Sequence, residues 1–124
     1  MTASLFDPIQ LGAIKAPNRI LMSPLTRGRS VGEHVPVTEL KAEYYSQRAS
    51  AGLIIAEATG ISQEGLGWPS APGIWSDEQV KAWKPVTQAV HDAGGRIILQ
   101  LWHMGRLVHS DFLSGAQPVS ASAT

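Results

Sequence analysis

An α/β fold built on parallel strands is the architecture this sequence predicts, and three observations carry that expectation. Apolar segments alternate with helical periodicities in the order strand, helix, strand, helix, strand. Residues 53–56 and 97–99 are apolar at every position, as strands covered on both faces must be. Helices return to strands through Gly52 and through Gly94 and Gly95, whereas strands reach the next helix through long stretches, residues 26–36 and 59–75. In open α/β sheets and in β/α barrels alike, ligands gather at the carboxyl ends of the strands, where such long loops collect. Residues 24–26, 58–59 and 100–103 are therefore the first candidates for a site.

The elements follow in order. Residues 6–15 hold two short apolar pieces around Gly12 and predict a hairpin capping the amino-terminal face of the sheet. Residues 18–23, bounded by Pro17 and Pro24, predict the first core strand. Thr38 is placed as an N-cap with Glu39 in the first turn, so the first helix is expected over residues 39–51, with Leu40, Tyr44, Gln47 and Ala51 on one face and Gly52 as a left-handed C-terminal residue. Residues 53–58 form the second strand. Ser76 and Gln79 make a capping box for a second helix over residues 77–93, in which Val80, Trp83, Val86, Val90 and Ala93 recur at helical spacing. Pro85 predicts a kink or break near residues 82–84. Residues 96–102 supply the third strand.

Composition narrows the function classes. With 124 residues the chain makes at most one compact domain, and 44% hydrophobic content is enough for a core. Ten Lys+Arg balance ten Asp+Glu, a net charge of +0, which argues against a nucleic-acid partner. Cysteine is absent, which excludes disulfides, thiolate metal sites and Cys nucleophiles within the chain and fits a reducing compartment. No apolar run approaches the roughly 20 residues of a membrane span. Residues 1–8 lack a basic region ahead of an apolar run, so no signal peptide is expected and the cytoplasm is the default.

Individual residues carry the rest. Gly65 and Gly67 are followed by Trp68 and Pro69 without a third glycine or a phosphate-loop Lys, so this loop shapes a surface, by turn chemistry or as a lid, and does not grip a pyrophosphate. His103 and His109 do not have the spacing of a common zinc pattern, and no metal is expected. His103 either lines a pocket or terminates its strand; His34 and His91 are expected in solvent. Gln100 lies between Leu99 and Leu101, where an amide without partners costs about 1–3 kcal/mol. Either core neighbours satisfy it, or it meets a ligand edge with adjacent donor and acceptor, on which Thr26 and Trp102 would converge. Glu57, between two alanines, is expected to pair with Arg19 or Arg48.

Six segments, in this order, resemble the N-terminal third of the Old Yellow Enzyme family: Leu5-Phe6-Asp7-Pro8; Asn18-Arg19-Ile20 with Met22-Ser23-Pro24-Leu25-Thr26-Arg27; Tyr44-Tyr45-Ser46-Gln47-Arg48; Glu57-Ala58-Thr59; Pro72-Gly73-Ile74-Trp75-Ser76; and Gln100-Leu101-Trp102-His103-Met104-Gly105-Arg106. The chain most resembles the N-ethylmaleimide reductase and xenobiotic ene-reductase branch. The resemblance implies that residues 1–124 are the N-terminal part of one FMN-binding domain: the first three strand–helix steps of a TIM (β/α)8 barrel, preceded by a hairpin. It implies FMN, reduced by NADPH or NADH, and reduction of activated C=C bonds in enones, maleimides, nitro-olefins or nitrate esters. By position it places Pro24, Leu25 and Thr26 on the flavin, with the Thr26 hydroxyl donating to the C4 carbonyl. Ala58 makes a backbone contact to the same edge, and Gln100 pairs with the pyrimidine edge. Trp68 and Trp102 line the substrate pocket, and His103 and Arg106 support the third loop. The family's substrate-binding pair, its Tyr proton donor and its phosphate-binding groups lie farther along, so the chain is expected to need the rest of the barrel, being a fragment, one half of a split enzyme completed by a second polypeptide, or a rearranged form of the family's chain. Competing readings are a fragment that acts only by docking and a dienoyl or enoyl reductase of the related iron–sulfur branch.

Overall fold

The computed structural model describes residues 3–122; Met1 and Thr2 of the N-terminal stretch, and Ala123 and Thr124 at the other end, lie outside the described residues. The first hairpin pairs β1 (Ile9–Leu11) with β2 (Ile14–Ala16), turning through Gly12 at φ 58°, where a side chain would be strained. β3 (Leu21–Met22) is shorter than the 18–23 expected. Asn18 bends the chain before it, its amide donating to the Ser50 carbonyl and its Oδ1 accepting from Ile20 N–H, and Pro24 cannot extend the ladder. A second hairpin, β4 (Ser30–Val31) with β5 (Val35–Pro36), occupies part of the stretch read as loop.

α1 spans Thr38–Ser46 and buries a different face from the one expected. Lys41, Tyr45 and Ala49 point inward, whereas Leu40 is 47% exposed and Gln47 faces solvent. Val37 is the N-cap; the Thr38 hydroxyl is not a cap but donates to the Ala82 carbonyl at 2.9 Å, tying α1 to α2. Nor does Gly52 adopt the left-handed conformation: the Asn18 carbonyl occupies the space a Cβ would need. That close approach is the reason for glycine here.

β6 (Leu53–Gly60) and β7 (Ile97–Trp102) complete a parallel sheet in the order β3-β6-β7. Between them α2 (Asp77–Asp92) starts at the expected capping box, in which Ser76 and Gln79 serve each other's backbone N–H groups. It runs unbroken through Pro85, which sits on the exposed side. Beyond β7 the described chain forms only two short 3-10 turns, Gly105–Leu107 and Ser110–Leu113, and no third α-helix.

Tyr45, Ala49, Ile54, Ala56, Trp83, Val86 and Val90 form one core between the helices and one face of the sheet. The other face is uncovered within this chain, where Leu21 is 44% and Ile98 40% exposed: the cover that apolar strands call for on both sides is not supplied by the described residues.

Candidate functional site

The carboxyl ends of β3, β6 and β7 meet along the open face, and a single irregularity in β6 decides what is displayed there. Ile55 pairs in register with Ile98 and Ala56 with Leu99, but Gln100 pairs with Ala58, so Glu57 is an extra residue in a β-bulge. Regular alternation would put Glu57 on the same side as Ile55. The bulge turns it toward α1 and leaves Ala58, half-buried, beside the exposed Gln100. The Thr59 hydroxyl donates to the Glu57 carbonyl at 2.8 Å and holds the bulge from within.

Glu57 is fully buried, and its partner is Lys41, at 2.5 Å, not Arg19 or Arg48. Arg48 instead donates to the Tyr44 carbonyl and lies over the Tyr44 ring. The Tyr45 hydroxyl donates to Glu57 Oε1 at 3.3 Å and accepts from Glu57 N–H at 3.0 Å. Glu57 Oε2 accepts from Arg27 N–H at 3.0 Å. Burial lowers the Lys41 pKa below its usual 10.5, against the pull of the bonded carboxylate. Burial, reinforced by the Glu57 charge, raises that of the Tyr45 phenol. Sequence reasoning missed Lys41 and Tyr45; their i, i+4 spacing, continued by Ala49, was the available signal.

The expected site residues fall into two groups. Pro24, Leu25 and Thr26 follow β3, and the Arg27 bond to Glu57 fastens that segment to the end of β6. Thr26 is half-buried, Leu25 is 61% exposed, and Ala58 and Gln100 are register partners on the neighbouring strands. Among the described residues neither the Thr26 hydroxyl nor the Gln100 amide makes an internal hydrogen bond, and Gln100 is exposed within this chain. Thr26 after β3, Ala58 on β6 and Gln100 on β7 thus follow one another across the sheet in strand order, a half-buried hydroxyl and a free amide with a small residue between them.

The second group lies above β7. Trp68 and Trp102 approach to 6.3 Å between ring centroids, with Trp68 50% exposed. Gly65 and Gly67 permit the close approach of two loops: a Cβ on Gly65 would strike the His103 ring and one on Gly67 would strike Val108. Their role is therefore packing more than turn geometry. Met104 N–H donates to the Gly65 carbonyl at 2.8 Å, and His103 Nδ1 accepts from Gly105 N–H at 3.0 Å. Arg106 is exposed in the first 3-10 turn. His34 is not in solvent as expected; its ring is half-buried against Trp75, with Nδ1 2.7 Å from the Ala71 carbonyl oxygen. Among the described residues no three His, Asp or Glu side chains are grouped to hold a metal ion, and no helix is long and apolar enough to cross a membrane.

A model of the NADH:flavin oxidoreductase / NADH oxidase family matches residues 4–124. The chain is 49% identical to the NADP-dependent oxidoreductase lnbE of Aspergillus flavus, over 99% of this chain and 33% of that protein. It superposes on the Old Yellow Enzyme homologue NCR of Zymomonas mobilis with a TM-score of 0.92 at 72% identity, covering 98% of this chain and 34% of that one. Morphinone reductase in complex with tetrahydroNAD gives a TM-score of 0.93 at 52% identity, over 99% of this chain and 34% of that one. The chain thus spans about a third of the length of each relative.

Proposed function

Because the chain belongs to the NADH:flavin oxidoreductase / NADH oxidase family, with Old Yellow Enzyme homologues as structural relatives, we propose that it is the flavin-edge portion of an FMN-dependent ene-reductase driven by NADPH or NADH. In this reading residues 1–124 are the first part of one FMN-binding β/α barrel, whose remaining strands come from further sequence or from a second polypeptide. FMN, when bound, supplies the two-electron chemistry that links the nicotinamide to an activated alkene.

The observation that carries the reading is the juxtaposition of Ala58 and Gln100 on the open face beside Pro24–Leu25–Thr26, with the Thr26 hydroxyl and the Gln100 amide free to bind. Gln100 offers donor and acceptor side by side, as a pyrimidine edge requires. Ala58 has only a methyl side chain, too small to obstruct a backbone contact. The Thr26 hydroxyl donates to the carbonyl at C4, where negative charge grows on reduction, and so favours the reduced ring. Pro24 and Leu25 supply an apolar seat. Trp68 and Trp102 wall the space for a small activated alkene such as an enone, maleimide, nitro-olefin or nitrate ester.

The test is FMN titration of the apo form of the complete protein, wild type against Gln100→Leu. The FMN Kd is expected to rise about tenfold, equivalent to about 1.4 kcal/mol. Equal affinities would remove Gln100 from the site, and a complete protein that purifies colourless, with no releasable FMN, would overturn the function.

A further inference from the structure

The buried Lys41–Glu57 ion pair is costly to desolvate, and nothing in the flavin reading uses it. An apolar trio would fill the same space, often with equal or greater stability. What distinguishes Glu57 is that its two carboxylate oxygens face different ways. Oε1 is held by Lys41 and Tyr45 of α1, and Oε2 accepts Arg27 N–H, the amide that directly follows Thr26. The bulge that aims Glu57 at α1 is the same bulge that aligns Ala58 with Gln100.

We propose that Glu57 is a positioning residue: anchored on α1 through Lys41 and Tyr45, its carboxylate clamps the Arg27 amide and so fixes the direction of the Thr26 hydroxyl at the flavin edge. The proposal rests on the reading that Thr26 touches flavin. A carboxylate is needed because it accepts from all three donors at once. The glutamine amide has one acceptor oxygen, and its NH2 must meet either the Lys41 ammonium or the Arg27 N–H, donor against donor. Glu57→Gln therefore preserves shape while releasing one end of the clamp.

The decisive measurement is the flavin midpoint potential of the complete, FMN-loaded protein, titrated against a reference dye, for wild type, Thr26→Ala, Glu57→Gln and the double variant. Thr26→Ala is expected to weaken binding of reduced relative to oxidised flavin about tenfold, a potential lower by about 30 mV for a two-electron couple. Glu57→Gln should lower it by a similar amount, and the double variant should fall no further than Thr26→Ala, because both changes remove one interaction. A purely electrostatic role predicts the opposite sign, since loss of a nearby negative charge favours reduction. A raised or unchanged potential in Glu57→Gln, or additive shifts in the double variant, overturns the proposal. If Thr26→Ala itself leaves the potential unmoved, the flavin reading of Thr26 fails, and the proposal with it. Should Glu57→Gln fail to fold, Tyr45→Phe decides: it keeps both charges and loosens the anchor, so a smaller fall in potential supports the clamp and no change, or loss of FMN, overturns it.

Discussion

On the helix side of β6, Ile54, Ala56 and Glu57 are sealed beneath Tyr45, Trp83, Val86 and Val90, and both carboxylate oxygens of Glu57 have partners. On the other side, Ile55 and Ala58 lie level with Ile98 and Gln100 on an uncovered surface, where polar groups are left free. The satisfied polar network thus belongs to the helix side of β6, whereas the polar groups without internal partners, Gln100 on β7 and Thr26 after β3, belong to its neighbours. A polar group away from water is tolerated only when paired, and the buried Glu57 meets that demand, whereas the exposed Gln100 and the half-buried Thr26 have no internal partner among the described residues.

The sharpest way to break that contrast is Glu57→Ala in the complete protein. It strands the Lys41 amine among apolar side chains and is expected to cost about 3–5 kcal/mol in urea unfolding. A loss below about 1 kcal/mol would mean that water reaches Lys41 and that the helix side is not sealed. The next effect depends on pH. The Tyr45 pKa is raised in the folded state, so above about pH 10 the unfolded chain gives up this proton while the folded one keeps it. The unfolded state then binds fewer protons and stability falls as pH rises, by at most about 1.4 kcal/mol per pH unit. Tyr45→Phe lacks this contribution, so the stability difference between wild type and variant should shrink above pH 10 and stay level from pH 7 to 9. A constant difference throughout would place the phenol in contact with solvent.

A third pair of variants asks whether the open face is closed in the complete protein. Ile54→Val should cost about 0.5–1.5 kcal/mol, and Ile98→Val should cost about the same if the rest of a barrel covers it. A loss under about 0.3 kcal/mol for Ile98→Val alone would show that face still meets water. The smallest effect belongs to Gln100→Leu, whose apo-protein stability should stay within about 0.5 kcal/mol of wild type, because the amide has no internal partner to lose. A larger loss would return Gln100 to the core.

Much of this was legible in the chain order. The parallel strands, the first hairpin and α2 with its capping box all depend on local pattern: short apolar runs, a turn glycine, and Ser76 three residues before Gln79. The candidate rim residues at the strand ends were legible for the same reason, because loop lengths mark the carboxyl ends of parallel strands. α1 was misread, its apolar periodicity being replaced by a buried lysine whose partner lies on another element. Pro85 does not break α2, since a helix tolerates proline where the missing bond faces solvent.

The sequence by itself determined the order and type of the first hairpin, the core strands and the two helices, and the end of the sheet where long loops collect, since these follow from short-range periodicity and capping, but it did not show the β4–β5 hairpin. Only the tertiary structure decided that Lys41 is buried, that Glu57 pairs with it and not with an arginine, and that Ala58 stands opposite Gln100. The reason is register: one extra residue in β6 reverses which side every later residue faces, and whether that residue is accommodated depends on contacts with α1 and β7 that no local pattern records.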